Sequence, residues 1–142
     1  MNLAEAKVRS TGTVDAQSIA LLNAIRGRSD ASTVFKAADF TNADALADAI
    51  VNERRIEFLM EGRRWSDIHR LQGDDLHPID GIPGKIKNGG LGTADAFTLG
   101  TPYTGALAVA AIPGSDKRFL WPIPLEETNN NPTLKAEQNP GW

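Results

Sequence analysis

The chain has 142 residues, of which 41% are hydrophobic, so it is long enough to bury a core in one domain. Its formal net charge is −3, and no run of Lys or Arg exceeds two residues, which argues against nucleic acid as a partner. The absence of cysteine excludes disulfides, thiolate metal sites and a cysteine nucleophile. We find no signal-peptide pattern and no apolar stretch long enough to span a membrane.

Two short helices are predicted at the start of the chain, over residues 3–9 and 15–27. Apolar residues in the second one recur at helical spacing, as at Ile19 and Leu22, and Asp15 is placed to cap its first turn. We expect these helices to lie antiparallel, joined by the Thr-Gly-Thr turn between them.

A longer helix is predicted over residues 44–71, because this stretch has no Pro and a single Gly, Gly62. Thr41 or Asn42 can cap its first turn. Together the three helices predict a mainly α fold, with residues 1–72 helical.

The second half of the chain has a different composition. Residues 73–117 hold nine Gly and four Pro, which predicts a long irregular loop region. A hairpin is predicted within 106–124, with its tip near Gly114. For the tail, 118–142, we predict one helical turn beginning at Pro124, followed by extended chain. We expect residues 119–134 to pack along the helix at 44–71, with Pro122 to Pro124 buried. We assign all of 1–142 to a single domain.

Carboxylates interrupt the apolar face of the predicted long helix. On a helical wheel, three glutamates and one arginine share the face of Leu46, Ile50, Ile68 and Leu71, namely Glu53, Glu57, Glu61 and Arg64. Glutamates spaced by four repel one another, so neighbouring guanidinium groups must neutralise them. We therefore predict a semi-buried lattice of ion pairs, with Glu57 and Glu61 held against Arg54, Arg64 or Arg70.

Two other uses of these glutamates stay open. A two-metal site in a helical bundle requires Glu-x-x-His pairs, which neither His69 nor His77 supplies. Paired carboxylates also serve glycosidases, but arginine neighbours would hold them ionised, which disfavours a general acid. Ion pairing explains the row best, so the sequence predicts no catalytic, metal-binding or cofactor-binding residue and no enzyme activity.

The segments at residues 53–70 and 119–142 resemble two blocks of the SusD/RagB family of glycan-binding outer-membrane lipoproteins. The segment ERRIEFLMEGRRWSDIHR is similar to the family's signature helix, E-R-x-x-E-L-x-x-E-G-x-R-x-x-D-L-x-R. It is filled here by Glu53, Arg54, Glu57, Glu61, Gly62, Arg64, Asp67 and Arg70. The ending FLWPIPLEETNNNPTLKAEQNPGW resembles the family's C-terminal block, from the P-I-P sequence to the final Q-N-P-G-aromatic. The first two helices resemble the tetratricopeptide-like helix pair that precedes the signature helix.

The resemblance covers the C-terminal part of a family member, so we expect the chain to be a piece of a longer protein. It implies tetratricopeptide-like helix pairs and a non-catalytic role. That role is to bind oligosaccharide at the cell surface and pass it to a SusC-like TonB-dependent porin of the outer membrane. Membrane attachment would come only through a lipid anchor that this chain lacks. The charged residues of the signature are expected to determine the fold rather than contact the sugar.

No sugar-binding residue follows from the resemblance, because such positions vary within the family. Side chains suited to sugar hydroxyls and sugar CH faces are concentrated in and after the Gly-rich segment. Our candidate glycan contacts are Asn88, Asp95, Phe97, Tyr103 and Trp121. An alternative function also stays open, since repeat-like helix pairs commonly serve as protein-interaction scaffolds without sugar binding.

Overall fold

The computed structural model describes residues 1–87 and 103–142. These residues form two compact units, Met1–Ile79 and Asp80–Trp142, which we call the helical unit and the C-terminal unit. Helices dominate their regular structure, and the strands are very short, so the protein is mainly α as predicted. The assignment of the chain to a single domain stays a prediction.

The helical unit begins with α1 (Asn2–Thr11) and α2 (Ala16–Ser29), which pack against each other. Both predicted helices are therefore confirmed. The carboxylate of Asp15 accepts a hydrogen bond of 2.7 Å from the backbone N–H of Ser18, so the predicted cap is also present.

The third helix, α3 (Ala43–Glu57), packs against both α1 and α2. The side chain of Asn42 accepts a hydrogen bond of 2.9 Å from the backbone N–H of Ala45, which identifies Asn42 as the cap. Each large apolar side chain buried between these helices contributes roughly 1.5–3 kcal/mol of transfer free energy. The core of the unit includes the fully buried residues Val8, Leu22, Leu46 and Ile50.

The prediction of one unbroken helix over 44–71 is wrong at its centre. After α3 the chain turns, and a separate helix, α4 (Arg63–Arg70), follows. Within the turn Met60 and Gly62 adopt left-handed backbone conformations, with φ of 64° and 73°. A right-handed helix cannot pass through such residues. Side chains before and after the turn therefore do not share one helical face.

Two short strands in the C-terminal unit, β1 (Lys85–Ile86) and β2 (Leu107–Val109), pair antiparallel. Beyond them Ile82 and Ile112 exchange backbone hydrogen bonds of 2.7 and 2.9 Å. Gly81 has φ of 78°, and a Cβ atom at this position would lie 2.0 Å from the carbonyl oxygen of Ile112. Only glycine permits this close approach of the two chain segments.

The predicted hairpin with its tip near Gly114 is wrong. The strand β2 pairs with β1, which precedes it in the chain, rather than with residues that follow the predicted tip. Those residues form a 3-10 turn, Lys117–Phe119, in place of a strand. The side chain of Asp116 starts this turn by accepting a hydrogen bond of 2.8 Å from the backbone N–H of Arg118.

The tail contains more helix than predicted. A short helix, α5 (Leu125–Asn130), follows Pro124 as expected, but α6 (Pro132–Ala136) replaces the predicted extended chain. The side chain of Asn131 caps α6 by accepting hydrogen bonds of 3.1 and 3.2 Å from two backbone N–H groups. An Asn cap followed by Pro at the first helical position favours helix formation.

The predicted burial of Pro122 to Pro124 is wrong, since both prolines are exposed and Ile123 is half-buried. The hydrogen-bonding groups of the Ile123 backbone are satisfied by a side chain of the tail itself, as described below. The predicted packing of 119–134 along 44–71 stays a prediction.

Candidate functional site

A cluster of charged side chains joins α1, α3 and α4 in the helical unit. Each helix contributes residues from one of its faces: positions four apart on α1 and three apart on α4 point the same way. Its members are Glu5, Arg9, Arg54, Asp67, Arg70 and Asp74.

Glu5 lies at the centre of this cluster and is only 5% exposed. Its two carboxylate oxygens accept a bidentate pair of hydrogen bonds from Arg70, of 2.6 and 2.9 Å. The Nε of Arg9 donates a third bond of 2.9 Å. Burial acts to raise the pKa of Glu5, but the hydrogen bonds and charges of the two arginines outweigh it and lower the pKa below its ordinary value. Glu5 is therefore ionised at neutral pH.

Asp67 is the second buried carboxylate, with 3% of its surface exposed. Arg54 donates to it from Nη2 and Nε at 3.1 and 3.3 Å, and Arg70 donates from Nε at 2.8 Å. Burial again acts to raise the pKa of Asp67, but the two guanidinium groups outweigh it and lower the pKa below its ordinary value. Arg54 is itself buried, donates to the side chain of Asn2, and lies 5.2 Å from the ring centre of Phe58. Arg70 thus bridges two carboxylates from different helices.

A third carboxylate, Asp74, extends the cluster beyond α4. It accepts a bond of 2.7 Å from Nη1 of Arg9 and is oriented by the backbone N–H groups of Leu76 and His77. The Nη2 atom of Arg9 is buried and has no hydrogen-bond partner within the described residues. The cluster is thus short of one acceptor at this point.

A separate pair of ion pairs joins α2 to α3. Glu53 accepts a bond of 2.8 Å from Arg26, and Glu57 accepts from Arg28 at 2.7 Å. Glu61 is exposed and makes no ion pair within the described residues. The predicted lattice therefore has the wrong partners for Glu57 and Glu61.

The break between α3 and α4 explains this difference, because it removes Glu61 from the face that carries Glu53 and Glu57. Arg64 is half-buried and makes no ion pair with them. Burial lowers the pKa of Arg64, and the nearby positive charge of Arg55 adds to this effect.

Sequence reasoning missed the partners on the first two helices. Glu5 lies next to Ala4 and three residues before Val8, and both of these residues are fully buried. A carboxylate among the core positions of a short helix indicates that a cation must approach it from elsewhere in the fold. That signal is present in the sequence, but it does not identify the cation.

A cleft of about 430 Å³ opens beside the charged cluster. Side chains from α1 and α4 form most of its lining, with one arginine from α3. The lining residues are Asn2, Glu5, Ala6, Arg9, Arg54, Arg63, Ser66, Asp67 and Arg70. Four arginines thus face two carboxylates in this cleft.

Of the candidate glycan contacts, Asn88, Asp95 and Phe97 lie outside the described residues. Tyr103 is half-buried, and its hydroxyl donates a bond of 3.3 Å to the carbonyl of Ala106. Trp121 is 74% exposed. Trp121 is therefore the candidate that presents the larger open surface.

Residues of the C-terminal block hold the backbone around Trp121. The side-chain amide of Gln138 both donates to the carbonyl oxygen of Ile123, at 3.0 Å, and accepts from its N–H, at 2.8 Å. The side-chain amide of Asn139 donates to the carbonyl oxygen of Trp121. The Q-N pair near the chain end therefore fixes the P-I-P segment through backbone groups.

The last residue completes this arrangement. The indole N–H of Trp142 donates to the carbonyls of Lys117 and Leu120, each at 3.0 Å. The ammonium of Lys117 lies 4.7 Å from the centre of the Trp142 ring and donates to the carbonyl of Gly141. These bonds hold the chain end against the turn at Lys117–Phe119.

The helices and the charged cluster together define a mainly α protein in which ion pairs between arginines and carboxylates hold the signature segment in place. The family model described as the SusD family matches residues 1–142, which is the whole chain. The protein therefore belongs to the SusD family, whose fold is built from tetratricopeptide-like helices. No curated protein and no solved structure shows significant similarity to the chain. Among the described residues, no helix has the length and apolar character needed to cross a membrane.

Proposed function

We propose that this protein captures oligosaccharide at the cell surface without catalysis, for uptake through a TonB-dependent porin of the SusC type. The observation that carries the proposal is the family match over the whole chain. The SusD family binds carbohydrate, takes part in nutrient uptake and is generally associated with the outer membrane. Attachment through a lipid anchor and hand-over to the porin belong to the same proposal.

The surroundings of Trp121 support a sugar contact. An exposed indole ring offers a flat apolar face to the CH groups of a sugar, and such contacts need little side-chain ordering. The bonds from Asn139 to Trp121 and from Gln138 to Ile123 hold the backbone on which this ring is carried. Tyr103, together with Asn88, Asp95 and Phe97, stays a candidate contact under this proposal.

Calorimetric titration of the 142-residue chain against a panel of neutral and acidic oligosaccharides tests the proposal. We expect at least one member to bind, and Trp121→Ala to weaken that binding by about tenfold, the size of one lost stacking contact. Trp65→Ala is the matched control, since Trp65 is a 40% exposed tryptophan of the helical unit. Absence of binding across the panel, or equal losses in the two variants, would contradict the proposed site.

A second candidate function is a protein-interaction scaffold, and a specific surface favours it. The turn between α3 and α4 exposes several large apolar side chains, with Leu59 74% and Met60 96% exposed, and Ile56 beside them 59% exposed. Exposed apolar groups concentrated in one turn are typical of interaction surfaces. If no oligosaccharide binds while the chain associates with another purified protein and Met60→Ser abolishes that association, the scaffold function is favoured instead.

A further inference from the structure

The cleft beside the charged cluster has more positive than negative charge. Its four arginines face Glu5 and Asp67, and the third carboxylate of the cluster, Asp74, pairs with Arg9 from outside the lining. Even with Asp74 counted, the four arginines of the cleft exceed the three carboxylates by one positive charge. The excess is therefore located at the cleft rather than spread over the acidic surface of the chain.

The excess positive charge of the cleft can be assigned to one side chain. Arg70 and Arg54 direct their donors to Glu5 and Asp67, as described above. Arg63, in contrast, lines the cleft, is exposed, and makes no hydrogen bond or ion pair within the described residues. A guanidinium group has five donors in a planar fork that matches a carboxylate. Arg63 is therefore the group in the cleft with a complete set of donors left for a ligand.

Other features of the cleft also favour an oxyanion. Arg63 is the first residue of α4, and its cap position, Gly62, provides no side-chain acceptor for the first N–H groups of the helix. This end of a helix carries partial positive charge. Ser66, one turn later, and Asn2 on α1 add hydroxyl and amide donors to the lining.

We propose that this cleft binds the carboxylate of an acidic sugar, with Arg63 as the principal contact. The inference rests on the proposed glycan-binding function and specifies the class of glycan. A volume of about 430 Å³ accommodates a sugar ring together with its carboxylate. Among the described residues the lining has no aromatic side chain, so the cleft would hold the ring by polar contacts, which are complementary to a uronic acid more than to a neutral sugar. One excess positive charge matches one carboxylate.

A matched pair of ligands isolates the carboxylate. The 142-residue chain is titrated calorimetrically with a tetramer of galacturonic acid and with the same tetramer in its methyl-esterified form, which is neutral. We expect the acid to bind more tightly than the ester, and added salt to reduce the difference. Arg63→Gln should weaken binding of the acid by about tenfold, since a charge-assisted bidentate contact is lost.

The matched control is Arg55→Gln, because Arg55 is an exposed arginine on α3 that does not line the cleft. This variant should bind the acid as the unmodified chain does. Equal affinity for acid and ester, or equal losses in the two variants, would overturn the inference. If neutral sugars of the panel still bind, the proposed function survives that result.

A further titration, with an acidic peptide, shows whether the cleft recognises the carboxylate of a sugar or that of a peptide. Tetraglutamate carries side-chain carboxylates without a sugar ring, and we expect it to bind far more weakly than the galacturonate tetramer. If tetraglutamate binds as tightly as the tetramer and also depends on Arg63, the cleft recognises acidic peptide and the assignment to a sugar is wrong. If no oligosaccharide binds at all, the proposed function fails together with this inference.

Discussion

Replacing Asp67 with Ala should destabilise the helical unit by about 3 kcal/mol. Removal of one partner from a buried ion pair typically costs 3–5 kcal/mol, because the remaining charge is left buried. Here two cations lose a partner, but they differ in what remains. Arg70 keeps its bidentate contact with Glu5, whereas Arg54, which is 9% exposed, keeps the hydrogen bond to Asn2 and the ring of Phe58 but no carboxylate. We therefore take the lower end of the range.

Urea denaturation followed by circular dichroism measures this loss of unfolding free energy. In a thermal scan of the same variant, the melting temperature should fall by about 10 °C. Glu61→Ala is the matched control, since it removes an exposed carboxylate of the same signature segment and should cost under about 0.5 kcal/mol. Asp67→Asn should lie close to Asp67→Ala, because it keeps the shape and loses the charge. Equal effects at Asp67 and Glu61 would show that the cluster is solvated and that the argument from burial is mistaken.

The buried carboxylates and the C-terminal block each lead to one further prediction. The pKa values of Glu5 and Asp67 in the folded chain lie below the ordinary values of 4.5 and 3.8, so the unfolded chain binds more protons in that range. The free energy of unfolding should therefore be constant from neutral pH down to about pH 5 and should fall below that pH. The fall should be shallower in Asp67→Asn. Urea denaturation at each pH measures both profiles. Gln138→Glu should cost about 1–2 kcal/mol and speed amide exchange at Ile123, because a carboxylate oxygen replaces the donor to the Ile123 carbonyl and the repulsion between the two oxygens separates the side chain from the backbone. The same change at the exposed Gln72 should have no measurable effect on either quantity.

The helices of the first half could be predicted because their signals are local. The caps at Asp15 and Asn42 and the spacing of apolar residues were sufficient to locate α1, α2 and the start of α3. The break at Met60 could not be predicted in this way. A residue with a side chain rarely adopts positive φ, so nothing local distinguishes Met60 from a helical residue.

The ion pairs were predicted in kind but not in their partners. Arg28 and Glu57 are separated by 29 residues, and Glu5 and Arg70 by 65. Periodicity places side chains on a face of their own helix, but only the packed fold decides which face meets which. For the same reason the partner of β2 was assigned to the nearest following segment, whereas the true partner is β1, which precedes β2 in the chain.

The bidentate contact between Glu5 and Arg70 has a consequence for the alignment of α1 with α4. Apolar contacts tolerate sliding, but a paired fork and carboxylate match at one position only. One turn along α1 from Glu5 lies Arg9, so a slip of one turn, about 5.4 Å, would bring two guanidinium groups face to face. A slip in the other direction would leave Arg70 opposite Met1. The order of charges along α1 thus selects a single register between two helices separated by more than fifty residues of chain.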